Sequence, residues 1–184
     1  MRAFFAFDLS PSEKLAVASW RSRNLSGLQN PVPDANFHVT LAFLGEISPA
    51  QMDQLCRGVD DWLAQASFSP GTIKLDQIGY WAPPQVTWIG PREWSEDLNR
   101  LAQKLGQLGS GLGMRMEKKT YQPHVTLSRM GPPPPAALQQ PELSIHYDGF
   151  TLFESVKGRQ HVHYHPLADW RFEPVLQRPR PRRD

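Results

Sequence analysis

His38-Val39-Thr40-Leu41 and His124-Val125-Thr126-Leu127 are the same tetrapeptide, 86 residues apart. With six histidines and six threonines in 184 residues, chance expects about 0.2 His-x-Thr occurrences. Two copies with identical apolar neighbours point to internal duplication. On a strand, residues i and i+2 share a face, so each copy offers an imidazole beside a hydroxyl while valine and leucine turn to the core. One such pair is ordinarily structural. Two pairs brought together would make a cleft in which imidazoles exchange protons near neutral pH and hydroxyls bond the non-bridging oxygens of a phosphate. Because the motifs are identical, spacing does not say which imidazole gives the proton and which takes it.

The surrounding elements must set these two strands against each other. Prolines number 18, about twice average usage, and they mark element boundaries. Residues 2–8 read as a strand with Phe5 and Phe7 on one face and Phe4 and Ala6 on the other. Ser10-Pro11-Ser12-Glu13 is a capping box with proline at the first helical position, opening a helix to about residue 24. Ser48-Pro49-Ala50-Gln51 repeats the device and opens a helix to about Ala66. Phe37–Leu44, Thr72–Ile78, Gln85–Ile89 and Gln122–Arg129 read as strands, and residues 94–108 as a third helix. Leu143–Val156 and Gln160–Tyr164 read as a closing hairpin across Lys157-Gly158. Helices interrupt pairs of strands, so the expected class is α+β, with one unit over residues 1–172 and a disordered Pro/Arg-rich tail over 173–184.

Composition excludes several alternatives. Apolar residues make up 40% and charged residues 21%, which is globular rather than disordered. A single cysteine, Cys56, rules out a disulfide framework or a cysteine-based metal cluster. Apolar runs fall short of the roughly 18 residues a membrane span needs, and Asp8 interrupts the first apolar run before it could act as a secretory signal. A cytoplasmic monomer with no membrane contact is expected. The formal net charge is +2, yet Arg178–Asp184 alone carries four arginines and one aspartate, leaving −1 on the other 177 residues. The body is not broadly basic, and any grip on a polyanion must be focused.

Several stretches carry a resemblance: Arg2–Leu9, Asn36–Gly45, Val86–Gly90, Tyr121–Arg129, Phe150–Ser155 and Tyr164–Leu167. In this order, over about residues 2–172, the chain resembles the two-histidine (2H) phosphoesterases, specifically the RNA 2′,3′-cyclic phosphodiesterases once called 2′–5′ RNA ligases. The resemblance implies a bilobal, pseudo-symmetric fold with two antiparallel sheets facing a central cleft and helices outside. It implies hydrolysis of an RNA or nucleotide 2′,3′-cyclic phosphate end to a 2′-phosphate without metal or other cofactor, with reversible 2′–5′ RNA ligation as an accompanying activity. By the family pattern His38 is the proton donor to O3′ and His124 the proton acceptor from water. Thr40 and Thr126 hold the phosphate oxygens.

Other residues are candidates on weaker grounds. Arg129 could return to the cleft as a phosphate contact, or end its strand in solvent. Phe5 and Phe7 are candidates to line the cleft and stack a base, although aromatics on a first strand are more often core. Trp81 could contact ribose or base at the cleft mouth, or cover the core edge. His161, His163 and His165 alternate along one strand, but with no carboxylate or cysteine nearby they are read as surface residues rather than a metal site. Two other functions stay open: a 2H phosphodiesterase acting on a small cyclic phosphate or on 2′–5′ oligoadenylate, and a noncatalytic binder of RNA ends.

Overall fold

The computed structural model describes residues 1–117 and 119–173. In chain order it has β1 (Arg2–Asp8), α1 (Pro11–Asn24), a 3₁₀ turn (Asp34–Asn36), β2 (His38–Glu46), α2 (Pro49–Leu63), β3 (Gly71–Leu75), β4 (Gln77–Trp81) and β5 (Val86–Gly90). α3 (Glu96–Gly111), β6 (Val125–Arg129), β7 (Leu143–Tyr147), β8 (Gly149–Lys157) and β9 (Val162–Arg171) follow. From residue 174 onward the expected tail lies outside the described residues.

The helix starts are those the capping boxes demand. Ser10 accepts from the Glu13 N–H while Glu13 returns a bond to the Ser10 N–H, and Ser48 and Gln51 do the same at α2. Each cap satisfies two otherwise orphaned donors and is worth about 1 kcal/mol.

Seven strands form an antiparallel sheet in the order β4-β5-β6-β2-β1-β8-β9, and β3 pairs with β7 in a second sheet. The class is α+β, as the element order implied. The two motif strands are neighbours in the large sheet, paired only at Val39–Val125. That single contact divides the sheet into two antiparallel halves, β2-β1-β8-β9 and β6-β5-β4, joined along the motif strands.

One face of the large sheet is sealed. Phe5, Phe7, Val39, Leu41, Ile89, Val125, Leu127 and Leu152 pack there against Val17 and Trp20 of α1, Leu55 and Val59 of α2, Leu101 and Leu105 of α3, and Ile73 and Ile145 of the small sheet. Each large side chain fully withdrawn from water contributes about 1.5–3 kcal/mol. The other face carries a separate cluster of Phe4, Ala6 and Phe153 with Tyr164 beside it.

Two elements differ from the sequence reading. The run 72–78 is β3 followed by β4, and β4 joins the other sheet. The run 143–156 is broken at Asp148-Gly149, so β7 leaves for β3 while β8 pairs with β1. Any side chain at position 149 would meet the backbone of Trp170, which leaves room only for glycine.

Candidate active site

The strand alternation of the two motifs works as their sequence requires. Val39, Leu41, Val125 and Leu127 are buried in the main core, so His38, Thr40, His124 and Thr126 lie on the opposite face. Continuing the antiparallel register from Val39–Val125 sets His38 opposite Thr126 and Thr40 opposite His124. The imidazoles are thus diagonal neighbours, a relation that separates Cβ atoms by roughly 7–8 Å in a regular ladder. A local two-fold relation through the Val39–Val125 pair produces two imidazoles and two hydroxyls around one spot.

Both rings are oriented in the same way. Nδ1 of His38 lies 2.6 Å from the Asn36 carbonyl and Nδ1 of His124 lies 2.8 Å from the Gln122 carbonyl, two residues upstream in each case. A carbonyl can only accept, so each Nδ1 carries the hydrogen and each Nε2 is left as the atom that takes or gives a proton. Nε2 of His38 is 3.0 Å from the Thr40 hydroxyl. Nε2 of His124 has no hydrogen-bond partner among the described residues.

Aromatic rings crowd both imidazoles. Phe4 and Tyr164 each stand 5.0 Å from the His38 ring. Trp81 stands 4.7 Å from His124, edge to face, and Trp88 stands 6.2 Å away. Trp88 lies over Gly79 on the paired strand, where a side chain would collide with the indole. This burial pushes the pKa of His38 down to about 4; the Asn36 carbonyl opposes the shift, and the positive charges of Arg129, His124 and Lys14 add to it. His124 is lowered too, mainly by burial, with the Gln122 carbonyl opposing and Arg129 adding. Both imidazoles are therefore neutral at pH 7 in the free protein.

Arg129 is five residues after His124, an odd spacing that should place it on the opposite face. A bulge corrects the parity. Thr126 pairs with Trp88 and Ser128 with Thr87, so Leu127 is the extra residue and Arg129 comes opposite Val86. Val86 alternates with Thr87 to share Trp88's face, so Arg129 returns to the side of the imidazoles. Its charge acts on His38, His124 and Tyr164. Arg129 has no carboxylate partner among the described residues, and it is exposed. A bulge at Leu41 does the same in the first motif, where Ala6 pairs with Thr40 and Phe5 with Ala42. There the residue brought round is Phe43, 36% exposed and stacked on Phe4.

Phe5 and Phe7 require a correction. Both are essentially inaccessible in the main core, Phe5 against Phe150 and Trp170 and Phe7 against Tyr147. They line no cleft. The strand does present an aromatic to the site, but it is Phe4, on the alternate face. The sequence showed the alternation without showing which face would be sealed. Trp81 does stand in the site, against His124. Tyr164 and the Asn36 and Gln122 carbonyls were missed; both carbonyls belong to the backbone, which every residue carries, so residue type gave no signal for them. Among the described residues no three His, Cys, Asp or Glu side chains converge as a metal site would need, and His163 and His165 are exposed along β9.

A cavity of about 280 Å³ opens beside His38, lined by Lys14, Asn36, Phe153, Tyr164 and Asp169 among others. A larger one, about 800 Å³, lies beyond Asp8 towards β7 and contains none of the motif residues.

Residues 10–88 and 89–164 each match the LigT-like phosphoesterase family, one match per motif. The chain is 32% identical over 176 residues to the RNA 2′,3′-cyclic phosphodiesterase of Escherichia coli K12, covering 92% of this chain and 95% of that one. It is 33% identical over 135 residues to the enzyme of the same name from Archaeoglobus fulgidus, covering 71% and 73%. The crystal structure of E. coli LigT complexed with 3′-AMP superposes with a TM-score of 0.80 at 30% identity, covering 93% of this chain and 97% of that one. The chain belongs to the LigT-like phosphoesterases, a family of phosphodiesterases.

Proposed function

We propose that this protein hydrolyses the 2′,3′-cyclic phosphate at an RNA or nucleotide end to a 2′-phosphate. The observation that carries the reading is the diagonal pair of imidazoles with both Nδ1 atoms tied to carbonyls, both Nε2 atoms on one face, and Arg129 turned to the same side. Water attacks phosphorus in line with the P–O3′ bond, so base and acid must stand on opposite sides of the phosphate. His124, whose Nε2 has no hydrogen-bond partner among the described residues, takes the proton from water. His38 gives one to O3′ as the P–O3′ bond breaks. Thr40, Thr126 and Arg129 hold the non-bridging oxygens, where charge accumulates. Trp81 contacts the ribose or base.

In the free protein both rings are neutral, so the general acid must acquire its proton as substrate binds. A cyclic phosphate monoanion beside His38 favours the imidazolium and supplies the drive. No step in this sequence calls for a cofactor. The unit is taken as residues 1–172, acting as a cytoplasmic monomer; no helix among the described residues is long and apolar enough to cross a membrane. In 2′–5′ ligation a 5′-hydroxyl takes the place of the attacking water, P–O5′ forms as P–O3′ breaks, and acid and base keep the same roles. They exchange only when the 2′–5′ linkage is cleaved back to the cyclic phosphate.

A compact substrate is favoured by the net −1 of the body outside the last seven residues, since a long RNA footprint calls for more cationic surface. The test is phosphorus NMR with a 2′,3′-cyclic nucleotide and with a cyclic-phosphate-ended oligoribonucleotide, followed by chromatographic separation of 2′- and 3′-monophosphates. A 2′-phosphate from either substrate supports the reading. A predominant 3′-phosphate reverses the acid and base labels, and no product at all leaves a binder of RNA ends.

A further inference from the structure

Arg21, on α1, is in neither motif, yet it touches Leu127 of the second and the turn and Phe37 that lead into the first. Its Nη1 donates to the Val32 carbonyl at 2.8 Å and to the Leu127 carbonyl at 3.0 Å, and its Nη2 to Asp34 at 2.6 Å. The guanidinium also lies over the ring of Phe37, 4.9 Å from its centroid. Leu127 is the bulged residue that turns Arg129 towards the site. Asp34 begins the 3₁₀ turn that ends at Asn36, whose carbonyl orients His38. Only 12% of the Arg21 side chain is exposed. The guanidinium fork is the one side chain type that can bond three acceptors in different directions while stacking on a ring.

We propose that Arg21 is a positioning residue that fixes the His38 turn and the Leu127 bulge relative to one another, and so sets the spacing of the two motifs. The two halves of the sheet share one paired position, Val39–Val125, and a single ladder contact leaves their relative placement soft. Arg21 bridges the junction from the sealed side. Its removal therefore misplaces the acid and the phosphate grip together, without touching substrate. The kinetic part of the test rests on the phosphodiesterase reading; the spectroscopic part does not.

The experiment uses Arg21→Lys, which keeps charge and stem but cannot make all three bonds, beside Val59→Ala, a core truncation on α2 away from both motifs. Arg21→Lys should lower kcat about ten- to a hundredfold, the scale of misplacement from a remote change, with KM altered much less. Nitrogen-15 histidine NMR across a pH titration reads the rings directly, with or without activity. Around His38 the charged and titratable groups are Arg129 of β6, His124 just before β6, Lys14 of α1 with Asp8 of β1, which it pairs at 2.9 Å, and Tyr164 and Asp169 of β9. The substitution changes none of these residues but frees both the Asn36 carbonyl, whose loss lowers the His38 pKa, and the bulge that holds Arg129, whose withdrawal raises it. Displacement at either end of the bridge therefore reads out as a shift in the His38 titration. The expected result is a His38 shift in Arg21→Lys and none in Val59→Ala at comparable loss of Tm. If Arg21→Lys does not fold, Asp34→Asn should show the same shift, smaller. An unmoved His38 titration with kcat within twofold of wild type overturns the proposal, as does an equal shift in Val59→Ala. Absence of activity in the wild type, with the His38 shift present, would instead overturn the phosphodiesterase reading alone.

Discussion

His38 and His124 each donate Nδ1–H to a carbonyl two residues upstream, but their surroundings diverge from there. His38 sits between Phe4 and Tyr164, its Nε2 already engaged by Thr40, with Lys14 adding positive charge. His124 sits against Trp81 and Trp88 with Nε2 unengaged. Each motif ends in a bulge, and each bulge turns round the fifth residue after the histidine. In the first half that residue is Phe43, an exposed ring; in the second it is Arg129, a cation. The same backbone device thus presents an exposed aromatic ring on one side and an exposed guanidinium on the other. Under the proposed function the repeated motif provides the proton-transfer pair, and the difference at one equivalent position separates the tasks.

The comparison is broken first at the histidines. His38→Ala and His124→Ala should each lower kcat/KM at least about 10²-fold, and the double variant should lose far less than the product because the pair acts as a unit. Near-normal turnover in either single variant, measured with a cyclic-phosphate nucleotide, would remove the symmetry from the mechanism. The next largest effect belongs to the diverged position. Arg129→Met should cost about ten- to a hundredfold in kcat/KM, the worth of a charge-assisted bond to an anion. Phe43→Ala should raise KM by a few-fold with kcat unchanged, as expected of a stacking contact. Equal losses at the two positions would erase the proposed division of labour.

The pH dependence sharpens the comparison. Turnover needs one imidazole protonated and one neutral, and burial lowers both, so the kcat/KM bell should centre below the ordinary histidine value of 6.5. The limbs belong to the coupled pair. The kcat profile, with the phosphate anion bound, should lie at higher pH than that of kcat/KM. Stability carries the same sign. Between about pH 6.5 and 4 the unfolded chain binds a proton at position 38 that the native state refuses. Tm should therefore fall on acidification through that window, and Tyr164→Ala, which opens the ring to water, should flatten the decline. A Tm independent of pH there would mean His38 is solvated. The smallest effect is expected from chelation: exhaustive EDTA treatment should leave turnover unchanged, and loss with rescue by zinc would shift attention to the β9 histidines.

Much of the site was legible before folding. The His-x-Thr spacing decides which side chains share a face, because strand alternation is a local property of an L-polypeptide. Valine and leucine between them decide which face is buried. The capping boxes at Ser10 and Ser48 start α1 and α2 where the sequence puts them. What local rules could not decide is what depends on distant packing. Phe4, Phe5 and Phe7 have similar claims on the cleft until the helices and the small sheet choose a face of β1 to seal. Arg129 stands at an odd spacing from His124, and only the pairing of β6 with β5 shows the extra residue that restores its parity. The Asp148-Gly149 break is visible in the sequence, but that β7 departs to β3 depends on a strand some 70 residues earlier. The sequence by itself determined the reactive groups and their pairing within each motif, because both follow from covalent order and a period of two. Only the tertiary structure decided how far apart the motifs stand and how deeply each imidazole is buried, because those depend on contacts the chain makes with itself across long separations.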